Sequence, residues 1–295
     1  MGSVSRAWSM ARLGVDFAVL RKDRPFILGL AVTDRCNLRC RHCRVWRSHG
    51  RHMPLADIEA TLRRFKVRGS RLLYLEGGEP YLWREGDRRL DDVIRLAREL
   101  GYLRVHVYTN GTLPITAPAD FTWISADGLH DTNYALRGSV LDDVLENARG
   151  CRTRKAMLFT VNMVNRGEIR PFLALVRERL PGVPVLFHFH TPYYGLDELL
   201  LDAGARNAAV DCLQECRRHG LPVMNSAPAL ERLRPGRGSG PGGLFYVVDS
   251  GGEYRCCRAL GDPAVCQHCG YSACEEIRLV RDFNPRALAA MARCL

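Results

Sequence analysis

The chain has very little lysine and no long uninterrupted apolar stretch. Of its 43 basic residues only Lys22, Lys66 and Lys155 are lysines, and the others are arginines scattered along 295 residues. A net charge of +11 carried in this way reflects GC-rich coding, so a nucleic-acid-binding protein is the weaker interpretation. Because no apolar run reaches the ~18 residues of a membrane span, no membrane segment is predicted.

Signals for export are also lacking. The first residues, MGSVSRAWSMARLG, have neither a long apolar core nor a small-residue cleavage site, which predicts a cytoplasmic protein. In a reducing cytosol the 12 cysteines are expected to bind metal rather than to pair as disulfides. Most of them form two groups. Cys151, Cys212, Cys216 and Cys294 are dispersed and are interpreted as small buried residues.

Short β-rich runs alternate with amphipathic segments along much of the chain. Strands are predicted at Phe26–Thr33, Arg71–Glu76, Arg104–Thr109, Phe121–Ala126, Ala156–Asn162 and Pro184–His190. Helices are predicted at Pro54–Lys66, Leu90–Leu100, Val140–Arg149, Ile169–Arg179 and Ala205–His219. Pro54 suits the first helical position, and Gly101 and Gly220 suit C-terminal caps. The alternation predicts parallel βαβ units in an incomplete six-stranded barrel, with functional loops after the strand ends.

The chain is predicted to comprise an N-terminal extension, an α/β domain and a small cysteine-rich C-terminal region, which cover residues 1–24, 25–233 and 234–295. The Gly- and Pro-rich stretch 234–243 is typical of a linker. Beyond it, Leu244–Val248 and the following SGGEYRCC predict a β-hairpin that turns at Ser250–Gly252. A short helix is predicted at Pro285–Arg293.

The first cysteine group directly follows the first predicted strand. Cys36, Cys40 and Cys43 have the spacing C-x3-C-x2-C. Three thiolates on one loop can hold three irons of a [4Fe–4S] cluster and leave the fourth iron open to another ligand. A structural zinc would need a fourth protein ligand, which this loop does not supply. The aromatic ring of His42, next to the last cysteine, can lie against a flat ligand.

This motif resembles the hallmark of the radical S-adenosylmethionine (SAM) superfamily, and the resemblance extends over about residues 26–221. It implies a partial (β/α)6 barrel, a cluster on Cys36, Cys40 and Cys43, and SAM chelated by the open iron. In this family one electron, from a donor such as a flavodoxin or ferredoxin, cleaves SAM. The resulting 5′-deoxyadenosyl radical abstracts a hydrogen atom from the substrate.

Residues at the ends of the next strands fit the same resemblance. Gly77, Gly78, Glu79 and Pro80 match the family's GGEP motif, in which the backbone and the carboxylate bind the methionine ammonium. The other SAM contacts implied by the resemblance are Thr109 and Asn110 after the third strand, Ser125 and Asp127 after the fourth, Arg137, and Asn162 with Asn165 after the fifth. The alternatives are turn residues, a solvated helix charge at Arg137 and loop caps at the two asparagines.

The second cysteine group lies in the C-terminal region. A G-x4-C pattern that ends at Cys256 is followed by Cys266-x2-Cys269-x4-Cys274, which resembles the SPASM and twitch regions of radical SAM enzymes. The resemblance implies one auxiliary [4Fe–4S] cluster on Cys266, Cys269, Cys274 and either Cys256 or Cys257, with structural zinc as the alternative. The pattern assigns Cys256 to the cluster and leaves Cys257 as a free thiol. A shift of one residue would exchange the two.

Three reactions on a small-molecule or peptide substrate follow from this resemblance. The preferred one is epimerisation of a sugar in antibiotic biosynthesis, as in aminoglycoside epimerases of the neomycin type. The thiol of Cys257, or of Cys256, would return a hydrogen atom to the opposite face of the substrate radical. The second is a peptide-modifying maturase, although the ~25 residues before the first strand are few for a leader-binding domain. The third is an amino-sugar dehydrogenase whose auxiliary cluster accepts an electron.

Overall fold

The computed structural model describes Val15 and residues 24–47, 50–195, 197–238, 244–257 and 262–291. Most of the predicted N-terminal extension, the second half of the predicted linker and Cys294 lie outside the described residues. Among the described residues, no helix has both the length and the apolar character needed to cross a bilayer.

Eight strands form one sheet, in which the first six are neighbours in chain order. The strands are β1 (Ile27–Thr33), β2 (Leu72–Gly77), β3 (Arg104–Thr109), β4 (Phe121–Ser125), β5 (Lys155–Val161), β6 (Val185–Phe189), β7 (Phe245–Asp249) and β8 (Gly252–Arg255). Strands β1 to β6 are parallel, β7 pairs in parallel with β1, and β8 pairs antiparallel with β7. The sheet is the predicted six-stranded partial barrel, and the predicted hairpin extends it beyond β1.

Ten α-helices accompany these strands in the described part of the chain. They are α1 (Leu55–Arg68), α2 (Leu90–Glu99), α3 (His130–Arg137), α4 (Leu141–Gly150), α5 (Ile169–Arg179), α6 (Ala203–Arg218), α7 (Ala227–Arg232), α8 (Pro263–Cys266), α9 (Ser272–Arg281) and α10 (Pro285–Met291). The five helices predicted before the linker correspond to α1, α2, α4, α5 and α6, with ends within two residues. Helix α3 was not predicted, because only Asn133, Leu136 and Arg137 of its eight residues are buried and no apolar period marks it.

The helix ends correct one expectation and refine another. Pro54 is the N-cap of α1 rather than its first helical residue, and its extended ψ of 145° lies outside the helix. Leu100 and His219 cap α2 and α6, and the predicted cap glycines follow them by one residue. Both Gly101 and Gly220 have a positive φ, the left-handed position at which glycine ends a helix without steric cost.

Strand residues alternate between a helix-covered outer face and the barrel interior. Outward Leu28 and Leu30 of β1 pack with the apolar face of α2, which includes Val93 and Ile94, in one fully buried core. The inward face mixes polar, aromatic and aliphatic side chains, and carries groups such as Tyr108 and Leu158 that line the interior cavity. This period of two separates the core packed against the helices from the side chains that fill and line the barrel interior.

The C-terminal region contacts both edges of the barrel. On one side β7 pairs with β1, and on the other the backbone of Phe189 at the end of β6 donates to Gly270 O at 2.8 Å. Gly270 N in turn donates to Thr191 Oγ1 at 2.9 Å. A Cβ at Gly270 would lie 2.0 Å from Phe189 O, so only glycine permits this approach. The segment before α9 is thereby fixed against β6.

Candidate active site

The first cysteine group lies on the loop after β1, at the C-terminal ends of the barrel strands. Cys36, Cys40 and Cys43 all line one cavity of about 280 Å³. Burial, together with the neighbouring thiols, raises the pKa of Cys40 to about 11. A cation is therefore needed to hold Cys40 as a thiolate at neutral pH.

The described residues contain no group of three or more His, Cys, Asp or Glu side chains that converges on a single metal ion. Ligands of a [4Fe–4S] cluster each bind a different iron, so they need not converge on one point. The donor set of three thiols on one loop fits such a cluster, and the assignment of these three cysteines as its ligands stays a prediction.

The GGEP turn lies directly against the cysteine loop. Gly78 N donates to Thr33 O and Glu79 N to Arg35 O, both at 2.8 Å. A Cβ at Gly77 would lie 2.1 Å from Thr33 O, and one at Gly78 would lie 2.2 Å from Arg35 O. The two glycines thus allow the end of β2 to approach the backbone just before Cys36, while both also line the cavity.

The Glu79 carboxylate is hydrogen-bonded to other groups of the protein. Its oxygens accept hydrogen bonds from Thr109 Oγ1 at 2.9 Å, Asn110 N at 2.8 Å and Tyr81 N at 3.1 Å. Complete burial raises its pKa to about 7, against the effect of these donors. Pro80 begins a short 3-10 turn next to it. Glu79 therefore joins the ends of β2 and β3, and a direct contact with SAM remains a prediction.

A buried ion pair stands beside the cysteine loop. Arg137 Nη1 donates to Asp127 Oδ2 at 2.7 Å, and His42 Nε2 lies 3.8 Å from the same oxygen. Arg137 and His42 line the cavity, and Arg137 Nε and His42 Nδ1 are buried without a partner among the described residues. Burial lowers the pKa of His42 to about 4, so its ring is neutral. Arg137 thus offers a cation and a spare donor, which fits an anionic ligand group such as a carboxylate.

The other predicted SAM contacts divide into two sets. Thr109, Asn110 and Ser125 line the cavity, and Asn110 Nδ2 lies 3.9 Å from Cys36 Sγ. Asn162 and Asn165 are fully buried instead. Their side chains hydrogen-bond within the loop after β5 and to Thr160 O, and Asn165 Nδ2 also donates to Asp127 O. These hydrogen bonds are those of loop caps, and a contact of either asparagine with SAM stays a prediction.

Two cavity histidines on β6 and its following loop were not predicted as site residues. His188 Nδ1 lies 3.2 Å from Ser272 N, and a backbone amide can only donate. The proton of the neutral ring is therefore on Nε2, which is buried without a partner in the described part of the chain. His190 Nε2 bonds to both oxygens of Asp197, at 2.9 and 3.0 Å. The alternation Phe187-His188-Phe189-His190 could have identified the pair, because it places both histidines on the inward face.

The second cysteine group is also brought together. Cys256 has a φ of +74°, and its free thiol forms hydrogen bonds with the thiols of Cys257 and Cys274. Cys257 and Cys266 are near enough to Cys269 to raise its pKa, although burial is the larger cause. Five thiols therefore lie close to one another, one more than a four-cysteine cluster requires. Which of the two adjacent cysteines would be the ligand stays open.

A second cavity, of about 680 Å³, is lined by Cys266, Cys269 and Cys274. Tyr271 lines this cavity and the barrel cavity as well. Burial of its phenol raises its pKa well above the usual value. Tyr271 is thus part of the wall between the two cysteine groups.

A partial barrel whose cavity holds the three-cysteine loop and the GGEP turn defines a radical SAM fold. Residues 30–165 match the Radical SAM superfamily, and the chain carries a radical SAM domain. SAM and a [4Fe–4S] cluster, the cofactors expected from the sequence, are those of this family.

Known proteins give the following similarities. The chain is 31% identical to pre-heme d1 synthase of Dinoroseobacter shibae, over 70% of this chain and 51% of that protein. It is 26% identical to GTP 3',8-cyclase of Peptoclostridium acidaminophilum, over 86% of this chain and 77% of that protein. SuiB of Streptococcus suis, solved with S-adenosylmethionine, matches 90% of this chain and 68% of its own with a TM-score of 0.63 and 16% identity. The chain spans about half the length of the first curated relatives that it matches.

Proposed function

We propose that this chain is a radical SAM enzyme with a second iron–sulfur cluster, and that it oxidises a substrate held in the barrel cavity. The main support for this proposal is that one cavity at the strand ends is lined by the three-cysteine loop, Arg137 and His188. Bound SAM, with an electron from a donor such as a flavodoxin or ferredoxin, supplies a radical that takes a hydrogen atom from the substrate. The chain's own residues hold and orient these partners.

Several side chains are suited to holding SAM. Cys36, Cys40 and Cys43 would carry the cluster, and the unpartnered Nε of Arg137 is available to a carboxylate. Asn110 and Ser125, on the same cavity wall, provide neutral hydrogen-bonding groups. Because the hydrogen bond to Asp127 holds the Arg137 guanidinium in place, the arginine can bind an anion without rearranging.

Other lining residues of the cavity are suited to the substrate. Tyr108, Leu158 and Tyr271 provide apolar and aromatic surface, against which a carbon radical would have few reactive neighbours. His188 adds one fixed donor, the Nε2–H group, to this surface. A substrate that presents one oxygen acceptor beside an apolar reacting group would match it.

Oxidation is favoured over epimerisation by the position of the cysteines. The described residues that line the barrel cavity include Cys36, Cys40 and Cys43, but neither Cys256 nor Cys257. The relatives named above likewise give no support to an aminoglycoside epimerase. Tyr271 lines both the barrel cavity and the cavity of the second cysteine group. A [4Fe–4S] cluster at that group would accept one electron from the substrate radical, and the accompanying proton would pass to water, which completes the loss of two hydrogens.

The reaction type can be tested in deuterated water. The reconstituted protein is incubated with SAM, reductant and, in turn, a porphyrin, GTP, a cysteine-containing peptide and an aminoglycoside. The proposal expects 5′-deoxyadenosine to rise with one member of this panel, and its product to have lost two hydrogens without gaining deuterium. A product of unchanged composition that carries one solvent deuterium would instead establish epimerisation. No 5′-deoxyadenosine under any condition would refute the radical SAM activity itself.

A further inference from the structure

Arg206 is a buried cation whose hydrogen-bond partners are all neutral. It lies on α6 with 6% of its surface exposed. Its guanidinium donates to three backbone carbonyls, those of Leu233, His268 at 3.1 Å and Cys269 at 2.5 Å. It also lies over the ring of Phe189, 5.5 Å from the centroid. Among the described residues no carboxylate is paired with it.

The other arginines nearby differ from Arg206 in this respect. Buried Arg137 has the Asp127 carboxylate at 2.7 Å. Arg232 pairs with Glu275, and Arg234 with an aspartate and a glutamate, although both arginines line the same cavity as Arg206. An unpaired buried charge costs several kcal/mol, because carbonyl dipoles replace only part of the lost hydration. An anion close to Arg206 would therefore offset the cost of burying its charge.

The cavity next to Arg206 holds the groups that can provide that anion. Cys266, Cys269 and Cys274 line it together with the arginine. Four thiolates around a [4Fe–4S] core give a cluster with a net negative charge, which grows by one when the cluster is reduced. A cation beside such a group stabilises the reduced form more than the oxidised form.

We propose that Arg206 is the counter-ion of a cluster bound by the second cysteine group, and that its charge raises the reduction potential of that cluster. The inference rests on the second-cluster part of the proposed function. Arg206 acts through the protein rather than on substrate, since its guanidinium contacts the backbone of the Cys266–Cys269 turn. Its role is to make the cluster a better electron acceptor and to hold this turn against α6.

Charge and shape can be separated by substitution. Lysine keeps the charge at this position but cannot reproduce the planar fork that reaches three carbonyls. Glutamine keeps a donor and loses the charge. Arg206→Lys and Arg206→Gln are compared in the full-length chain with Cys36, Cys40 and Cys43 changed to Ala, so that the remaining cluster signal comes from the second group alone. Arg218→Gln, an exposed position on α6, controls for the net charge.

The measurement is a redox titration of the reconstituted protein followed by electron paramagnetic resonance, with iron content determined for each variant. We expect Arg206→Gln to make reduction about tenfold less favourable, a fall of about 59 mV for one electron. Arg206→Lys should stay near the unsubstituted potential, and Arg218→Gln should not shift it. If Arg206→Gln loses the second cluster while Arg206→Lys keeps it, the counter-ion role is also supported.

Two results would overturn the inference. One is an Arg206→Gln variant that keeps its cluster at an unchanged potential. The other is equal loss of the cluster from the Lys and Gln variants, which would make Arg206 a structural clamp whose charge does not matter. Failure of the proposed function is a separate outcome, because it would be detected as the absence of a second cluster in the protein with Arg206 intact.

Discussion

His188 and Tyr271 stack on each other, with ring centroids 4.5 Å apart and planes inclined by 25°. One ring belongs to β6 of the barrel and the other to the segment that leads into α9. The backbone of the next residue, Ser272, donates to His188 Nδ1 and so fixes the tautomer of the histidine. This contact therefore adds to those that attach the C-terminal region to the barrel, and it also orients a polar group at the cavity. Tyr271 also borders the cavity of the second cysteine group.

Removal of the first cysteine group should abolish SAM cleavage. With Cys36, Cys40 and Cys43 all changed to Ala, formation of 5′-deoxyadenosine should fall to the background rate, because the thiolates that hold the cluster are gone. Cys212→Ala, at a half-buried position on α6, is the matched control and should retain activity. The readout is 5′-deoxyadenosine by liquid chromatography. Cleavage that persists in the triple variant would contradict the site assignment.

Metal analysis should find two clusters. The ligand sets predict about eight irons per chain, four for each cluster, and about half of that in the triple alanine variant. Treatment with a chelator under oxidising conditions should remove iron and SAM cleavage together. Stoichiometric zinc in place of the second four irons would show that the second cysteine group is a structural zinc site.

Local sequence signals were sufficient for the strands and for the first cysteine loop. The period of two and the short C-x3-C-x2-C spacing are readable without knowledge of the fold, and the strand ends locate the GGEP turn. The roles of His188 and Arg206 could not be read in this way. His188 is fixed by Ser272, 84 residues later, and Arg206 by Cys269, 63 residues later. Such pairings depend on how the C-terminal region closes against β6.

The same limit explains the two asparagines after β5. A polar residue at a strand end suits a ligand contact and a loop cap equally well in sequence. Asn165 Nδ2 reaches Asp127 O on the neighbouring β4 loop, which directs the amide into the protein. Burial and partners across the sheet supply what the sequence lacks, and a SAM contact at either asparagine stays a prediction.

Neutralising Asp127 should destabilise the fold. Asp127→Asn leaves the Arg137 guanidinium buried without its carboxylate, which is expected to lower the free energy of unfolding by about 3–5 kcal/mol. Glu59→Gln removes the exposed pair between Glu59 and Arg63 and should cost at most about 1 kcal/mol. Anaerobic denaturant titration of both variants gives the comparison. Equal effects would mean that burial adds nothing to the Asp127–Arg137 pair.

His106 should make the protein less stable in mild acid. Burial lowers the pKa of this barrel-interior histidine to about 4 from the usual 6.5. Between those two values the unfolded chain binds a proton that the folded protein does not, so stability falls as the pH decreases from 6.5 to 4. The loss amounts to about 3 kcal/mol. His106→Gln should have a smaller decline over this window, and His219→Gln, on the surface, should follow the unsubstituted protein.

The adjacent cysteines should differ in their effect on the second cluster. The thiol of Cys256 is hydrogen-bonded to the thiol of Cys274. The backbone of Cys256 adopts a left-handed φ of +74°, an unfavourable conformation for a residue with a Cβ. A metal ligand at this position would explain why the conformation is maintained. Cys256→Ala is therefore expected to lose the iron of the second cluster, whereas Cys257→Ala should keep it. Iron content and the electron paramagnetic resonance signal of the two variants test the assignment, and the reverse result would make Cys257 the ligand.

The same two variants also bear on the reaction. If oxidation is correct, Cys257→Ala should form 5′-deoxyadenosine and product in the same ratio as the unsubstituted protein, because no thiol returns a hydrogen atom to the substrate. If the thiol of Cys257 is a hydrogen donor, the variant should still cleave SAM and abstract hydrogen while product fails to form. That ratio, measured with whichever panel substrate stimulates cleavage, separates the two mechanisms without requiring the stereochemistry of the product. If Cys257→Ala forms less product per 5′-deoxyadenosine while its iron content is intact, epimerisation would be restored as the function of the chain.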